Sequence, residues 1–237
     1  MTFEQQIAQA HELLTGIGSR HRPAAFGTSF GVEDMVLLDL ISRGKHAIEV
    51  FTLDTGRLPE ETYALMARTA ERYRIKVRTF FPDTAAIQDY VRINGINGFY
   101  DSVVQRKACC EVRKVEPLRR ALAGKRAWVT GLRREQSPTR ATLPLSEYDP
   151  VHALQKFNPL ADWMLDDVWR YVRRHDVPYN ALHDRGYPSI GCAPCTRAVK
   201  PGEDIRAGRW WWEATDAKEC GLHAAASLRH EPRTSAP

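Results

Sequence analysis

Four short apolar runs, each separated from the next by helical patterning, constrain this chain of 237 residues more than any other feature. They are 24–30 (AAFGTSF), 47–53 (AIEVFTL), 75–81 (IKVRTFF) and 126–132 (RAWVTGL). The first is preceded by 3–15, where Phe3, Ile7, Ala10 and Leu14 recur at helical spacing. Gly31 follows the first run, and Glu33-Asp34 opens the apolar helix MVLLDLIS, acidic residues suiting a first helical turn. Pro59 suits the start of a helix over 59–73, and further helices are expected near 83–93 and over 103–123. Strands alternating with helices predict an α/β fold, an open parallel sheet with helices on both faces. Ligands of such sheets bind beyond the carboxyl ends of the strands. Three polar turns fall there: Ser29–Asp34, Asp54–Arg57 and Gly131–Gln136.

After about residue 150 the pattern loosens. HALQKFNPL reads as one more strand, and Asp166-Asp167 caps a short helix, VWRYVRRH. No repeat and no long linker divides the chain. The expected organisation is a nucleotide-binding α/β domain over 1–199 and a flexible C-terminal segment over 200–237. With 43% hydrophobic and 27% charged residues and no apolar run near the ~20 residues a membrane helix needs, a soluble globular protein is expected. The polar N-terminus does not read as a secretory signal, so a cytoplasmic location is expected. The net charge of +5 suits either a polyanionic partner or a small anionic substrate.

The five cysteines divide as four plus one. Cys109-Cys110 is an adjacent pair, Cys192-Ala-Pro-Cys195 is a C-x-x-C, and Cys220 stands alone near the chain end. An odd count without an export signal points to metal or thiol chemistry rather than disulfides. Neighbouring side chains diverge, so an adjacent pair serves a multi-iron cluster more easily than a single Zn²⁺. A structural zinc, or cysteines buried as small hydrophobes, remain the plainer readings of these residues.

Other candidates carry similar alternatives. Ser29, Gly31 and Glu33 belong to a turn that can hold an anion or a nucleoside, or is an ordinary strand-to-helix turn. Leu53, Asp54, Thr55 and Gly56 can meet a ribose or base edge, or simply turn the chain. Gly131, Arg133, Arg134 and Arg140 offer guanidiniums suited to phosphate or sulfate, or a solvated charged loop. Lys114 lies one helical turn beyond Cys110. Arg206 and Arg209 precede three tryptophans, Trp210 to Trp212, which suit single-stranded nucleic acid or, more plainly, packing onto the sheet domain. Cys220, with His223 three residues on, has the makings of a nucleophile or of an unremarkable thiol.

In combination, Cys109-Cys110 with Arg113-Lys114, Cys192-x-x-Cys195, Arg206-x-x-Arg209-Trp-Trp-Trp and Glu219-Cys220-Gly221-Leu222-His223 resemble the assimilatory adenylyl-sulfate reductases, within the wider phosphoadenylyl-sulfate reductase family. The resemblance runs from about residue 24 to 223. It implies the open parallel sheet of the ATP-pyrophosphatases, with Ser29-Phe-Gly-Val-Glu-Asp34 replacing their Ser-Gly-Gly-x-Asp-Ser loop. It also implies reduction of adenosine 5′-phosphosulfate to sulfite and AMP, with electrons from thioredoxin. Cys220 would be the nucleophile and would carry an S-sulfo intermediate. Cys109, Cys110, Cys192 and Cys195 would hold a [4Fe–4S] cluster. Ser29, Gly31, Glu33, Leu53, Asp54, Thr55 and Gly56 would hold the adenosine, and Gly131 and Arg133 would also bind the substrate. Lys114, Arg140, Arg206, Arg209 and His223 would neutralise the phosphosulfate.

Two further readings compete. The 3′-phosphorylated nucleotide is an alternative substrate, although relatives using it commonly lack the four cysteines. An iron–sulfur tRNA thiolase on the same fold would explain the basic charge but predicts an intact ATP loop. The resemblance requires neither a nucleic acid nor a membrane, and it leaves a homo-oligomer open.

Overall fold

The computed structural model describes residues 1–137 and 140–213. Six strands form one sheet in the order β3-β2-β1-β4-β6-β5. They are β1 Ala24–Thr28, β2 Ile48–Leu53, β3 Arg78–Phe80, β4 Ala127–Val129, β5 Ser146–Asp149 and β6 Leu154–Phe157. All pairings are parallel except β5 with β6. The helices are α1 Phe3–Arg20, α2 Val32–Arg43, α3 Glu60–Tyr73, α4 Thr84–Asn94, α5 Val103–Cys110, α6 Glu116–Leu122 and α7 Leu165–His175.

The strand period of two sorts the core onto two faces. Ala24 and Phe26, Ile48 and Val50, and Ala127 and Val129 face one way, onto α1, α2 and α7, through Leu14, Leu37, Val168 and Tyr171. Ala25, Phe51 and Trp128 face the other way, onto Leu118, Ala121 and Leu122 of α6. The expected two-sided α/β sheet is present. Among the described residues, no helix is long and apolar enough to cross a membrane.

Three departures from the sequence expectation have physical causes. α1 runs on past residue 15 to Arg20, because Ile17 continues its buried stripe. β5 escaped notice because it is an edge strand whose residues alternate between exposed and half-buried, so SEYD carries no apolar signal. The expected single helix over 103–123 is interrupted by a wide π turn, Glu111–Val115, in which Glu116 N–H donates to the Glu111 carbonyl. Pro117 accounts for it: proline offers no N–H to the Arg113 carbonyl and its ring would collide with that oxygen in a regular helix. The turn directly follows Cys109-Cys110, and such bulges recur at functional sites.

The chain leaves β1 toward β2 on one side, and later returns to pair β4 on the other. The carboxyl ends of β1 and β4 therefore bound a crevice at the point where strand order reverses.

Candidate active site

That crevice holds a cavity of about 280 Å³. Ser29, Gly31 and Glu33 beyond β1, Leu53 and Thr55 at the end of β2, and Gly131 beyond β4 line it, together with Arg133. Lys114, Arg140, Arg206 and Arg209 complete the lining. Eleven of the expected substrate residues therefore converge on one space. Asp54 and Gly56 shape the wall from behind. The Asp54 carboxylate accepts from Gly56 N–H (2.8 Å) and Tyr63 Oη (2.9 Å), and Gly56 sits at φ +70°.

The β1 turn is organised from within. Asp34 is buried and accepts from both the Ser29 N–H and the Ser29 hydroxyl, each at 2.6 Å. Burial pushes its carboxyl up to about 6, against the pull of the Ser29 bonds and with help from the nearby Glu33 charge. A Cβ at Gly131 would run into the Asp34 carboxylate, so only glycine lets β4 pass this close. Phe30 N–H donates to Thr28 Oγ1 (3.0 Å), and Gly31 N–H reaches Ser29 Oγ (3.4 Å). Three successive backbone donors are thus committed internally, and Glu33 and Asp34 add carboxylates at the same turn. This turn is poorly suited to cradling a polyphosphate.

The arginine loop after β4 splits by role. Buried Arg133 spans Glu33 (2.9 Å), Glu135 (2.7 Å) and the Trp163 carbonyl (3.2 Å), which pins the loop to α2. Arg134 pairs with Asp162 and donates to the Leu143 carbonyl. Arg133 and Arg140 both line the cavity, and Arg140 donates to Gln136, whose amide donates to Glu33. Asp34 and Gln136, which close two of the expected polar turns, also line the cavity, as does His183, which sequence reasoning passed over. His183 arrives by tertiary packing from a 3₁₀ turn at His183–Arg185, and no local spacing marks it. Its Nε2 is buried without a hydrogen-bond partner, and burial lowers its basicity against the opposing pull of Glu33.

All four expected ligand cysteines line one smaller cavity, with Arg57, Arg106, Arg113 and Lys114. Cys109, Cys110 and Cys192 are buried, Cys195 is half-buried, and all four thiols are free. Thr55 Oγ1 lies 3.3 Å from Cys192 Sγ, and Ala193 N–H donates to the Arg57 carbonyl, tying the C-x-x-C turn to the β2 turn. Burial alone would raise the Cys192 thiol, but Lys114, the Thr55 hydroxyl, Arg209 and Arg113 outweigh it and leave it lowered. Burial pushes Cys195 up to about 12, helped by the charge on Cys192, and burial likewise raises Cys109. Among the described residues no group of three or more His, Cys, Asp or Glu closes into a site for a metal ion. The donor set suits a larger group of net negative charge, with four sulfurs inside a ring of cations. Lys114 lines both cavities and lies on the wall between them.

Residues 200–213 return onto this layer. Thr196 bridges Arg209, and Arg197 N–H donates to the Gly208 carbonyl (2.9 Å). Gly191 leaves room for the Arg209 guanidinium where a Cβ would collide with it. Trp210 is buried between the guanidiniums of Arg106 (4.6 Å) and Arg209 (4.7 Å). Arg106 in turn forms a two-pronged bond to Glu213, both prongs 2.8 Å, with both side chains almost fully buried. Trp210 and Trp212 are therefore packing residues rather than a stacking platform for bases. Cys220, Gly221 and His223 lie outside the described residues.

Residues 23–198 match the model of the phosphoadenosine phosphosulfate reductase domain. The chain is 54% identical to the adenosine 5′-phosphosulfate reductase of Allochromatium vinosum, over 98% of this chain and 90% of that one. It is 53% identical to the enzyme of that name from Burkholderia cepacia, over 92% and 87%. A solved phosphoadenylyl-sulfate reductase from Candida auris, in complex with phosphate, superposes with a TM-score of 0.69 at 26% identity, covering 83% of this chain and 96% of that one. Yeast FAD synthetase shares the fold alone, with a TM-score of 0.55 at 17% identity, covering 83% and 67%.

Proposed function

Since the chain belongs to the phosphoadenosine phosphosulfate reductase family, we propose that it reduces adenosine 5′-phosphosulfate to sulfite and AMP, with electrons from thioredoxin, as a cytoplasmic step of sulfate assimilation and cysteine biosynthesis. The observation that carries the reading is the cavity itself. It is wide enough for a nucleotide, closed to a polyphosphate at the β1 turn, and cationic where Lys114, Arg140, Arg206 and Arg209 meet. Adenosine fits against the Ser29–Asp34 and Leu53–Gly56 turns, and the phosphosulfate dianion against the cations. The four free described thiols suit a reducing compartment.

The chemistry assigned to this site is a thiolate displacement. The Cys220 thiolate attacks the sulfate sulfur, the bond from that sulfur to the bridging oxygen breaks, and AMP departs with the electron pair. Cys220 then carries a sulfonate. One thiolate of reduced thioredoxin attacks the Cys220 sulfur and sulfite leaves with the S–S electron pair. The second thioredoxin thiol resolves the mixed disulfide, which regenerates the Cys220 thiolate and leaves oxidised thioredoxin. A thiolate approaching a dianion meets repulsion, and Lys114, Arg140, Arg206 and Arg209 offset it. Gly131 lets Asp34 hold the Ser29 turn in shape, and Arg133 holds the loop that carries Arg140.

Cys109, Cys110, Cys192 and Cys195 would hold a [4Fe–4S] cluster. When bound it would supply structural and electrostatic support beside Lys114, because thiol exchange already delivers the two electrons. Cys192→Ser protein, purified without air, is expected to lose most of its iron and its visible absorbance. Full iron content would remove Cys192 from the ligand set.

The family description and the Candida auris structure favour the 3′-phosphorylated nucleotide as a second reading. One experiment separates the two. Each nucleotide is mixed with the holoprotein without reductant, and the intact mass is read. Adenosine 5′-phosphosulfate is expected to add one sulfonate to Cys220 at least ten times faster than its 3′-phosphorylated form. The reverse preference would transfer the assignment to the second nucleotide, and no adduct from either would sink the reading.

A further inference from the structure

We infer that the exposed aromatic corner built by Tyr100 and Trp211 is the docking surface for the protein reductant, a small dithiol protein with an apolar rim around its reactive cysteines. The inference rests on the reaction proposed above.

Two of the three tryptophans have structural partners that explain them. Trp210 is buried, and Trp212 packs edge-on against Tyr100 (4.4 Å) and at a tilt to Phe99 (6.3 Å). Trp211 is different: it is 40% exposed, beside Tyr100 at 39%, with ring centroids 6.4 Å apart. Ile96 (63%) and Val104 (77%) flank Tyr100 in sequence and are also exposed. Large apolar side chains gathered at the surface mark interaction sites, and Trp and Tyr supply most of the binding energy of protein interfaces. Transient redox encounters need only small interfaces, so a corner of this size suffices.

The corner is also held rigid. Tyr100 Oη donates to the Pro194 carbonyl (2.8 Å) inside the C-x-x-C turn, and Trp211 leans edge-on against Trp212 (4.8 Å). A preformed surface loses little entropy on docking. Its place along the chain supplies the reason for a reductant rather than another partner. Glu213 is two residues beyond Trp211 and is fastened to Arg106. Cys220 is seven residues beyond Glu213, so its sulfur lies within about 25 Å of that anchor even on a fully extended chain. A protein docked on this corner therefore has its thiolate within reach of the Cys220 sulfur.

The test uses the iron-replete full chain with Trp211→Ala and, separately, Val104→Glu. Both positions are exposed, and unchanged melting would show that the fold is intact. Sulfite release is measured against thioredoxin concentration and again with dithiothreitol. Sulfonation of Cys220 is followed in a single turnover without reductant, and mass in solution is measured by sedimentation. The expected result is a KM for thioredoxin raised by about tenfold or more, with dithiothreitol turnover, sulfonation rate and mass unchanged. An unchanged thioredoxin KM overturns the inference. Slowed sulfonation overturns it by assigning the corner to residues 214–237 of the chain itself, and a lowered mass assigns it to contacts between copies. If wild-type protein forms no sulfonate, the underlying reaction falls and the docking surface with it. That failure is distinguishable, because it precedes any reductant.

Discussion

Cys220→Ser protein mixed with adenosine 5′-phosphosulfate is expected to show no added sulfonate by mass spectrometry and sulfite release reduced to background. A loss of about three orders of magnitude or more is the scale for removing a nucleophile that no neighbour replaces. The serine hydroxyl is close in size, but its proton is held far more tightly than a thiol's, so little alkoxide exists at neutral pH to attack a dianion. Nucleotide affinity should be nearly retained, since Ser29, Leu53, Gly131 and the four cations that line the cavity are unchanged. Binding without adduct, measured by calorimetry with the intact nucleotide, separates loss of chemistry from loss of the site. A sulfonate still found on Cys220→Ser protein would direct attention to the other thiols, of which Cys195 is the one described cysteine not fully buried.

The two-sided sheet was legible in the sequence because its signals are local. The residue pairs Ala24/Phe26 and Ile48/Val50 announce the strand period, and Asp34 and Glu60 fall in first helical turns where acidic residues belong. The convergence of three polar turns was legible for a topological reason: parallel strands all deliver their carboxyl ends to one side. The division of labour within the turns was not. Arg133 and Arg140 look alike in sequence. Both line the cavity, and only the positions of Glu33 and Glu135 show that Arg133 also holds the loop. His183 was invisible for a related reason, since it meets the cavity through tertiary packing. The π turn after Cys110 could have been suspected from Pro117, which cannot sit within an unbroken helix running from 103 to 123 without disturbing it.

The charge reading also gains a physical reason. A net charge of +5 is compatible with nucleic acid, and so is a run of three tryptophans beside arginines. The structure spends Trp210 between two guanidiniums and Trp212 against Phe99 and Tyr100, which leaves no row of stacking faces. Lys114, Arg206 and Arg209 instead line the cavity in the crevice. Cations concentrated in this way favour a small dianion over an extended backbone.

Arg106→Ala is expected to be the most destabilising single change among the described residues. Its guanidinium is fully buried, bonded twice to Glu213 and stacked on Trp210. Removing one partner of a buried pair leaves the other charge desolvated and unpaired, at a cost of about 3–5 kcal/mol. For a chain of this size that corresponds to a melting midpoint lowered by about 6–20 °C. Glu213→Ala should lose a similar amount, and the double variant much less than the sum, because each single variant strands one charge of this pair and the double variant strands neither. Replacing both partners together by apolar residues, Arg106→Met with Glu213→Leu, should restore most of the stability, since well-packed apolar substitutes for buried pairs are often neutral. The same set separates stability from function. Among the described residues, Glu213 is the buried anchor nearest Cys220 in sequence, so freeing it should lower the effective concentration of the Cys220 sulfur at the phosphosulfate. Glu213→Ala is therefore expected to slow single-turnover sulfonation several-fold, measured well below its melting midpoint. The apolar pair, which refastens the segment by packing, should recover it. Sulfonation that follows neither variant would mean that the anchor sets stability alone.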